Sequence, residues 1–183
     1  MGKEQRTMGW MSLWRWLGIP NPNDAEGENR LQEIEEALPS LGPERARYLA
    51  CFAYILTRPA RADHQVTDAE AARMRHIVAE RTSVTDPQAE TIVRVARDAA
   101  RQSGGTEDYL ITREFERLAS RDEKLQLLDA LFAVSAADES ILTVEDNEVR
   151  RVASELKLEH GDYIATRRKH LEHLEVFRRN SPD

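Results

Sequence analysis

The chain has 183 residues, of which 32% are charged and 40% hydrophobic, and its formal net charge is -7. This length suits one domain with a sizeable buried core, and the composition is typical of a folded helical protein rather than a disordered one. The negative charge excludes a general nucleic-acid coat, because phosphate binding requires a basic face. Cys51 is the only cysteine, so an internal disulfide is also excluded, and its apolar surroundings predict a core residue.

The first 28 residues differ from the rest of the chain and are predicted to form a separate segment. All three tryptophans lie here, on a short amphipathic helix. The apolar face of this helix carries Trp10, Leu13, Trp14 and Leu17. A stretch rich in proline and asparagine follows and indicates a linker, so we place the compact domain at residues 29–183. We expect the helix to dock onto a protein partner, a membrane surface or its own domain.

From residue 29 onward the sequence predicts one helix after another. Pro43 opens a helix with a long apolar run, and Pro59 is expected to kink or end it. The stretches 67–70 and 120–123 have capping-box spacing and predict two further helix starts.

The last two helices are predicted from about 143 to 156 and from 160 to about 177. No strand pattern is present. The expected fold is therefore all-α, an irregular or orthogonal bundle of about eight helices, with the short amphipathic helix at its N-terminus.

One helix-turn-helix pattern occurs twice in the chain. Asp63 follows the end of an apolar helix and Glu70 comes seven residues later, and Asp138 and Glu145 repeat this spacing. A duplication of this kind can bring carboxylates from distant parts of the chain into one place. These four side chains offer only oxygen ligands, so the pattern predicts a site for a hard cation, Ca²⁺ or Mg²⁺.

Explanations without a metal stay open for the same residues. Glu70 lies three residues after Thr67 and can close a capping box, and the helix dipole stabilises acidic side chains near a helix N-terminus. Neither turn is an EF-hand, since the sixth position lacks glycine and the twelfth lacks glutamate. His64 is a weaker candidate ligand, because its neutral nitrogen prefers softer metals than the carboxylates do. His170 and His173 on the last helix are better explained by a solvated helix face.

The two motifs, taken together, resemble a known family. The stretch 128–138, LDALFAVSAAD, with Glu145 and the segments 149–153 and 161–167, is similar to the C-terminal half of TerB-like tellurite-resistance domains. The stretch 60–70 resembles the N-terminal half of the same domains. The similarity covers about residues 44–170, and its strength lies in the order and separation of the two motifs.

The resemblance implies an all-helical domain whose acidic turns form a metal site. The ligands would be Asp63, Glu70, Asp138 and Glu145. Members of the family are linked to tellurite and envelope stress and not to an established reaction. The family usually has glycine after each acidic residue, whereas this chain has His64 and Glu139 at those positions, so each turn must form without the residue that best tolerates positive φ.

We therefore expect a non-enzymatic domain that binds a divalent cation or acts as a scaffold in a stress-response assembly. The alternative is a metal-independent adaptor that docks a partner helix, and a weaker third hypothesis is a hydrolase that holds Mg²⁺. No nucleophile motif is visible. We expect a protein partner or a membrane-associated complex, and a cytoplasmic location that includes the inner-membrane periphery, because no bilayer-spanning stretch or secretory signal is found.

Overall fold

A computed structural model describes residues 43–62, 66–102, 105–137 and 139–174. Within these ranges the fold is all-α, as predicted. Seven α-helices follow one another: α1 (Pro43–Ala62), α2 (Asp68–Thr82), α3 (Asp86–Gln102), α4 (Gly105–Leu118), α5 (Arg121–Ser135), α6 (Thr143–Glu155) and α7 (His160–Arg168). A short 3-10 helix, Leu171–His173, comes after α7.

The predicted N-terminal segment, residues 1–28 with the Trp10, Leu13, Trp14 and Leu17 face, lies outside the described residues. The predicted count of about eight helices excludes this segment but includes one helix in residues 29–42, which also lie outside the described residues, so the count stays a prediction. None of the described helices combines the length and the apolar character needed to cross a membrane.

Helix α1 forms the centre of the bundle. Every residue from 48 to 60 is buried, and α1 packs against α2, α3, α4, α5 and α6. A helix that is buried on all sides must be apolar around most of its circumference, which explains the continuous apolar run that the sequence shows here. Cys51 is fully buried in this helix, as expected for a core residue, and burial raises the pKa of its thiol.

Of the two predicted effects of Pro59, a kink or an end, the end is not found, because α1 continues through Pro59 to Ala62. Proline removes the N–H that would bond to the carbonyl four residues earlier, which weakens a helix. Side-chain bonds on both sides of the proline hold the last turn in place. Arg58 donates to Glu155 at 2.5 Å, and Arg61 donates to the carbonyl of Ala100 at 2.9 Å.

Both predicted capping boxes are present. The hydroxyl of Thr67 accepts the Glu70 N–H at 3.1 Å at the start of α2, and the hydroxyl of Ser120 accepts the Glu123 N–H at 3.3 Å at the start of α5. In each case the glutamate carboxylate accepts the N–H of the cap residue in return. The reciprocal bonds satisfy N–H groups that a helix N-terminus leaves without partners.

The last helix is shorter than predicted, since α7 ends at Arg168. His170 leaves the helical path because its ring stacks on Phe132, with 5.4 Å between the ring centroids, and its Nε2 lies 3.1 Å from a carboxylate oxygen of Asp129. The Ile141 N–H then donates to the His173 carbonyl at 2.6 Å. The chain after α7 therefore closes over α5 and over the segment that leads into α6.

In the part of the chain that the structure describes, three residues other than glycine have positive φ: Ser83, Glu139 and Lys157. Glu139, the residue directly after Asp138, has φ 68°. The chain thus adopts the left-handed conformation here without glycine, at the steric cost that a side chain brings.

We expect Phe132→Ala to lower the free energy of unfolding by about 3–5 kcal/mol, because it would leave a large cavity in the core. Phe132 is fully buried and contacts the rings of Tyr163 and His170. Chemical denaturation measures the change. Tyr109→Ala is the control, since Tyr109 is 44% exposed. Equal losses of about 1 kcal/mol in the two variants would contradict the assigned core.

We expect Glu139→Gly to raise the free energy of unfolding by about 0.5–1 kcal/mol. Glycine removes the steric strain of positive φ, and this gain is larger than the backbone entropy that glycine loses on folding. Glu80→Gly provides the comparison, since Glu80 lies in the interior of α2 and its side chain is 64% exposed. That control should lose about 1 kcal/mol. A loss of stability in both variants would show that φ at residue 139 is not under strain.

Candidate metal centre

Glu70 is the first predicted ligand that the structure places, and it lies in the first turn of α2. Its carboxylate Oε2 accepts the N–H of Thr67 at 2.7 Å and the hydroxyl of Thr67 at 3.0 Å. The residue is 4% exposed. The capping-box interpretation is therefore confirmed for Glu70. Its predicted companions, Asp63 and His64, lie outside the described residues.

Glu145 has the equivalent position in the first turn of α6. Its Oε2 accepts the N–H of Leu142 at 2.7 Å, and the residue is 3% exposed. Leucine has no side-chain oxygen to return the bond, so only half of a capping box forms here. Asp138, the other predicted ligand of this turn, falls outside the described part of the chain. The structure thus places two of the four predicted ligands, and both are buried carboxylates.

The two turns approach their second helices in the same conformation. Thr67 has φ -69° and ψ 163°, and Leu142 has φ -72° and ψ 154°. Each glutamate therefore projects from the third position of a helix that follows an extended residue. The cap residues Ser120 and Glu159 have the same conformation, so the feature particular to the two duplicated units is the burial of their glutamates.

A contact between the two units joins equivalent positions. Tyr48 and Glu123 each precede the aspartate of their own turn by fifteen residues. Arg45 links them, since its guanidinium lies 4.5 Å from the centroid of the Tyr48 ring and 3.7 Å from the Glu123 carboxylate. Burial, together with the negative charge of Glu123, raises the pKa of Tyr48 to about 12. Contacts between equivalent residues are what a twofold relation between the units would produce.

The helix packing has the same reciprocal pattern. The first helix of one unit, α1, packs against α6, the second helix of the other, while α5 packs against α2. A polar contact supports each pair. Arg58 on α1 donates to Glu148 on α6 at 2.6 Å, and Arg81 on α2 donates to Asp129 on α5 at 2.9 Å. The two units are therefore interlocked and do not simply stand side by side.

Arg58 forms a buried ionic cluster that sequence reasoning missed. The residue is 3% exposed, and its guanidinium donates to Glu148, to Glu155 and, at 2.7 Å, to the hydroxyl of Thr112. Burial by itself would lower the pKa of Arg58, but the two glutamates outweigh this effect and raise it. The sequence signal that could have indicated this cluster is a charged residue, Arg58, at the end of a long apolar run.

A second cluster involves the α6 residue that follows Glu145. Asp146 accepts the hydroxyl of Tyr163 at 2.6 Å and the Nε of Arg167 at 2.8 Å. Burial and the Asp146 carboxylate together raise the pKa of Tyr163, so its hydroxyl stays protonated as the donor. These bonds fix the first turn of α6 against α7, and with it the backbone that carries Glu145.

The histidines of the C-terminal region are used in other contacts. His170 bonds to Asp129, and Nε2 of His173 lies 3.5 Å from a carboxylate oxygen of Glu172. Over the described ranges, no three side chains of His, Cys, Asp or Glu form a group able to hold a metal ion. Asp63 and Asp138 lie outside those ranges.

Comparison with known proteins identifies the family of this chain. The family model described as tellurite resistance protein TerB matches residues 49–168, which is about two thirds of the chain and includes both acidic turns. Comparisons with curated proteins and with solved structures found no match. The family match covers all seven described helices at least in part. The chain therefore belongs to the TerB family of tellurite resistance proteins.

Proposed function

We propose that this TerB domain binds one divalent cation, Ca²⁺ or Mg²⁺, between its two acidic turns, and that it acts as a non-enzymatic scaffold in a tellurite or envelope stress response. The proposed ligands are Asp63, Glu70, Asp138 and Glu145. One observation carries the proposal: two buried glutamates have equivalent positions in two interlocked helix-turn-helix units.

The burial of these glutamates supports a cation by electrostatics. Removing a carboxylate from water is costly unless hydrogen bonds or a positive charge compensate for it. A cap N–H supplies part of that compensation at Glu70 and at Glu145. A divalent cation shared by the two turns would supply more, and carboxylate oxygens are the ligands that Ca²⁺ and Mg²⁺ prefer.

A neutral oxygen near the second turn also fits this proposal. The hydroxyl of Ser135, three residues before Asp138, is buried and has no hydrogen-bond partner in the described structure. A buried polar atom without a partner has an energetic cost that a ligand or a water molecule can remove. Ca²⁺ binds six to eight oxygens, so a hydroxyl could supplement the four carboxylates.

The scaffold part of the proposal follows from where the cation would bind. The turns connect α1 to α2 and α5 to α6, and these four helices form the interlocked core. A cation that bridges both turns would stabilise one arrangement of the two units, and a partner could recognise that arrangement. The metal-independent adaptor, which docks a partner helix through the bundle surface or the tryptophan segment, is the outcome if no cation binds.

We expect millimolar Ca²⁺ or Mg²⁺ to raise the melting temperature of metal-stripped protein, because a ligand of the folded state stabilises it by mass action. The stabilisation is about 2.7 kcal/mol when the cation is present at 100 times its Kd. Replacing Asp63 and Asp138 together by asparagine should abolish the rise and leave the metal-free protein folded. Thermal denaturation followed by circular dichroism gives the measurement.

Glutamine variants separate cation binding from helix capping. In Glu70→Gln and Glu145→Gln the amide oxygen can still accept the cap N–H, so the helix start is retained while the charge is lost. The matched control is Glu123→Gln, since Glu123 closes the capping box of α5 but follows no acidic turn. The proposal requires that Glu123→Gln keep the metal response and that the other two lose it. An unchanged melting curve in wild type at millimolar metal would remove the cation site.

A further inference from the structure

A groove between α2 and α3 is lined by four arginines. Its volume is about 370 Å³, and it opens along Arg75 of α2 and Arg94, Arg97 and Arg101 of α3. The buried side chains of Ala71 and Val93 also line it. The three α3 arginines are spaced three and four residues apart, so they share one helix face. This face is positive on a chain whose net charge is -7.

The three carboxylates of the groove are already compensated. Glu90 pairs with Arg75, and Asp98 lies 3.4 Å from Arg101. Asp68 is the first residue of α2, where the helix dipole stabilises a negative charge. Arg97 has no ion-pair partner among the residues that the structure describes. The groove therefore keeps a positive charge along α3 that internal pairs do not neutralise.

The chemistry of the lining selects the ligand. Guanidinium groups present planar pairs of N–H donors that match the oxygens of a phosphate group, and such charge-assisted bonds are stronger than neutral ones. The volume lies within the range of about 300–1,000 Å³ that small-molecule sites occupy. Both ion pairs in the groove have exposed partners, so they are weak and their guanidiniums can turn toward a ligand at little cost.

We propose that this groove binds a small phosphorylated molecule, with Arg97 as the principal phosphate ligand and Arg94 and Arg101 on either side of it. The site lies between α2 and α3 and does not depend on the proposed cation site. Helix α2 carries both Arg75 of the groove and Glu70 of the first acidic turn. Phosphate binding in the groove would therefore act on the same helix as the proposed cation.

Inorganic pyrophosphate is a suitable probe, used in metal-free buffer so that it cannot bind through a cation. We expect it to raise the melting temperature of wild-type protein progressively with concentration and to give a saturable calorimetric isotherm, whereas potassium chloride at equal ionic strength does neither. Calorimetry should then give about tenfold weaker binding for Arg97→Gln, the size expected for the loss of a charge-assisted contact. The control is Arg73→Gln, which removes the same charge from an exposed position of α2 outside the groove.

The result expected is loss of binding in Arg97→Gln, retention in Arg73→Gln, and an unchanged unliganded melting temperature in both. Glu70→Gln should also keep pyrophosphate binding, so failure of the cation site and failure of this site can be told apart. If Arg73→Gln and Arg97→Gln weakened pyrophosphate binding equally, the effect would come from net charge alone, and the proposal would be overturned. The absence of a saturable response in wild type would also overturn it.

Discussion

The arrangement of the bundle depends on the buried ionic cluster around Arg58. This side chain lies near the end of α1 and bonds to Glu148 and Glu155 of α6 and to Thr112 of α4. Removing these charges from water costs several kcal/mol per ion, and only well-placed partners offset that cost. The cluster therefore favours one position of α1 along its axis relative to α4 and α6. Removing Glu148 or Glu155 would leave the buried Arg58 with only one carboxylate partner, so the cluster disfavours sliding of these helices past one another.

This register has a consequence for the acidic turns. Arg58 lies five residues before Asp63, and Glu148 lies three residues after Glu145. The cluster therefore holds the end of α1, which leads into the first turn, against the start of α6, which follows the second turn. On the opposite pair of helices, Asp129 binds Arg81 and His170, and these bonds lower the pKa of its carboxyl to about 2, His170 having the larger effect. We propose that the duplicated unit is retained because two such units can bring four carboxylates to one cation.

Local signals in the sequence predicted much of the fold. The capping boxes at Thr67 and Ser120 depend on residues three apart, and the burial of α1 follows from its apolar run, so neither needs knowledge of the tertiary structure. The features that escaped prediction depend on distant partners. Arg58 bonds to Glu155, which lies 97 residues later in the chain. Long-range bonds of this kind support the last turn of α1, which continues beyond Pro59. The last helix ends early because His170 meets Asp129, 41 residues before it.

The candidate site divides in the same way. Sequence spacing identified Glu70 and Glu145, and their burial as helix-capping carboxylates is a tertiary property that spacing alone does not give. The lack of a partner for the Ser135 hydroxyl could not be predicted, since an unsatisfied hydroxyl is defined only by its surroundings. The sequence analysis did not single out the arginines of α3, and their groove exists only because α2 packs beside them.

The most direct test of a shared cation site is the stoichiometry of binding, measured by calorimetric titration of the metal-stripped, full-length chain with Ca²⁺ and with Mg²⁺. If both turns contribute to one centre, one cation binds per chain. Removing the charge of either Glu70 or Glu145 then eliminates the whole binding heat. Two cations per chain, with each variant losing one of them, would show that the turns act separately and would contradict the account.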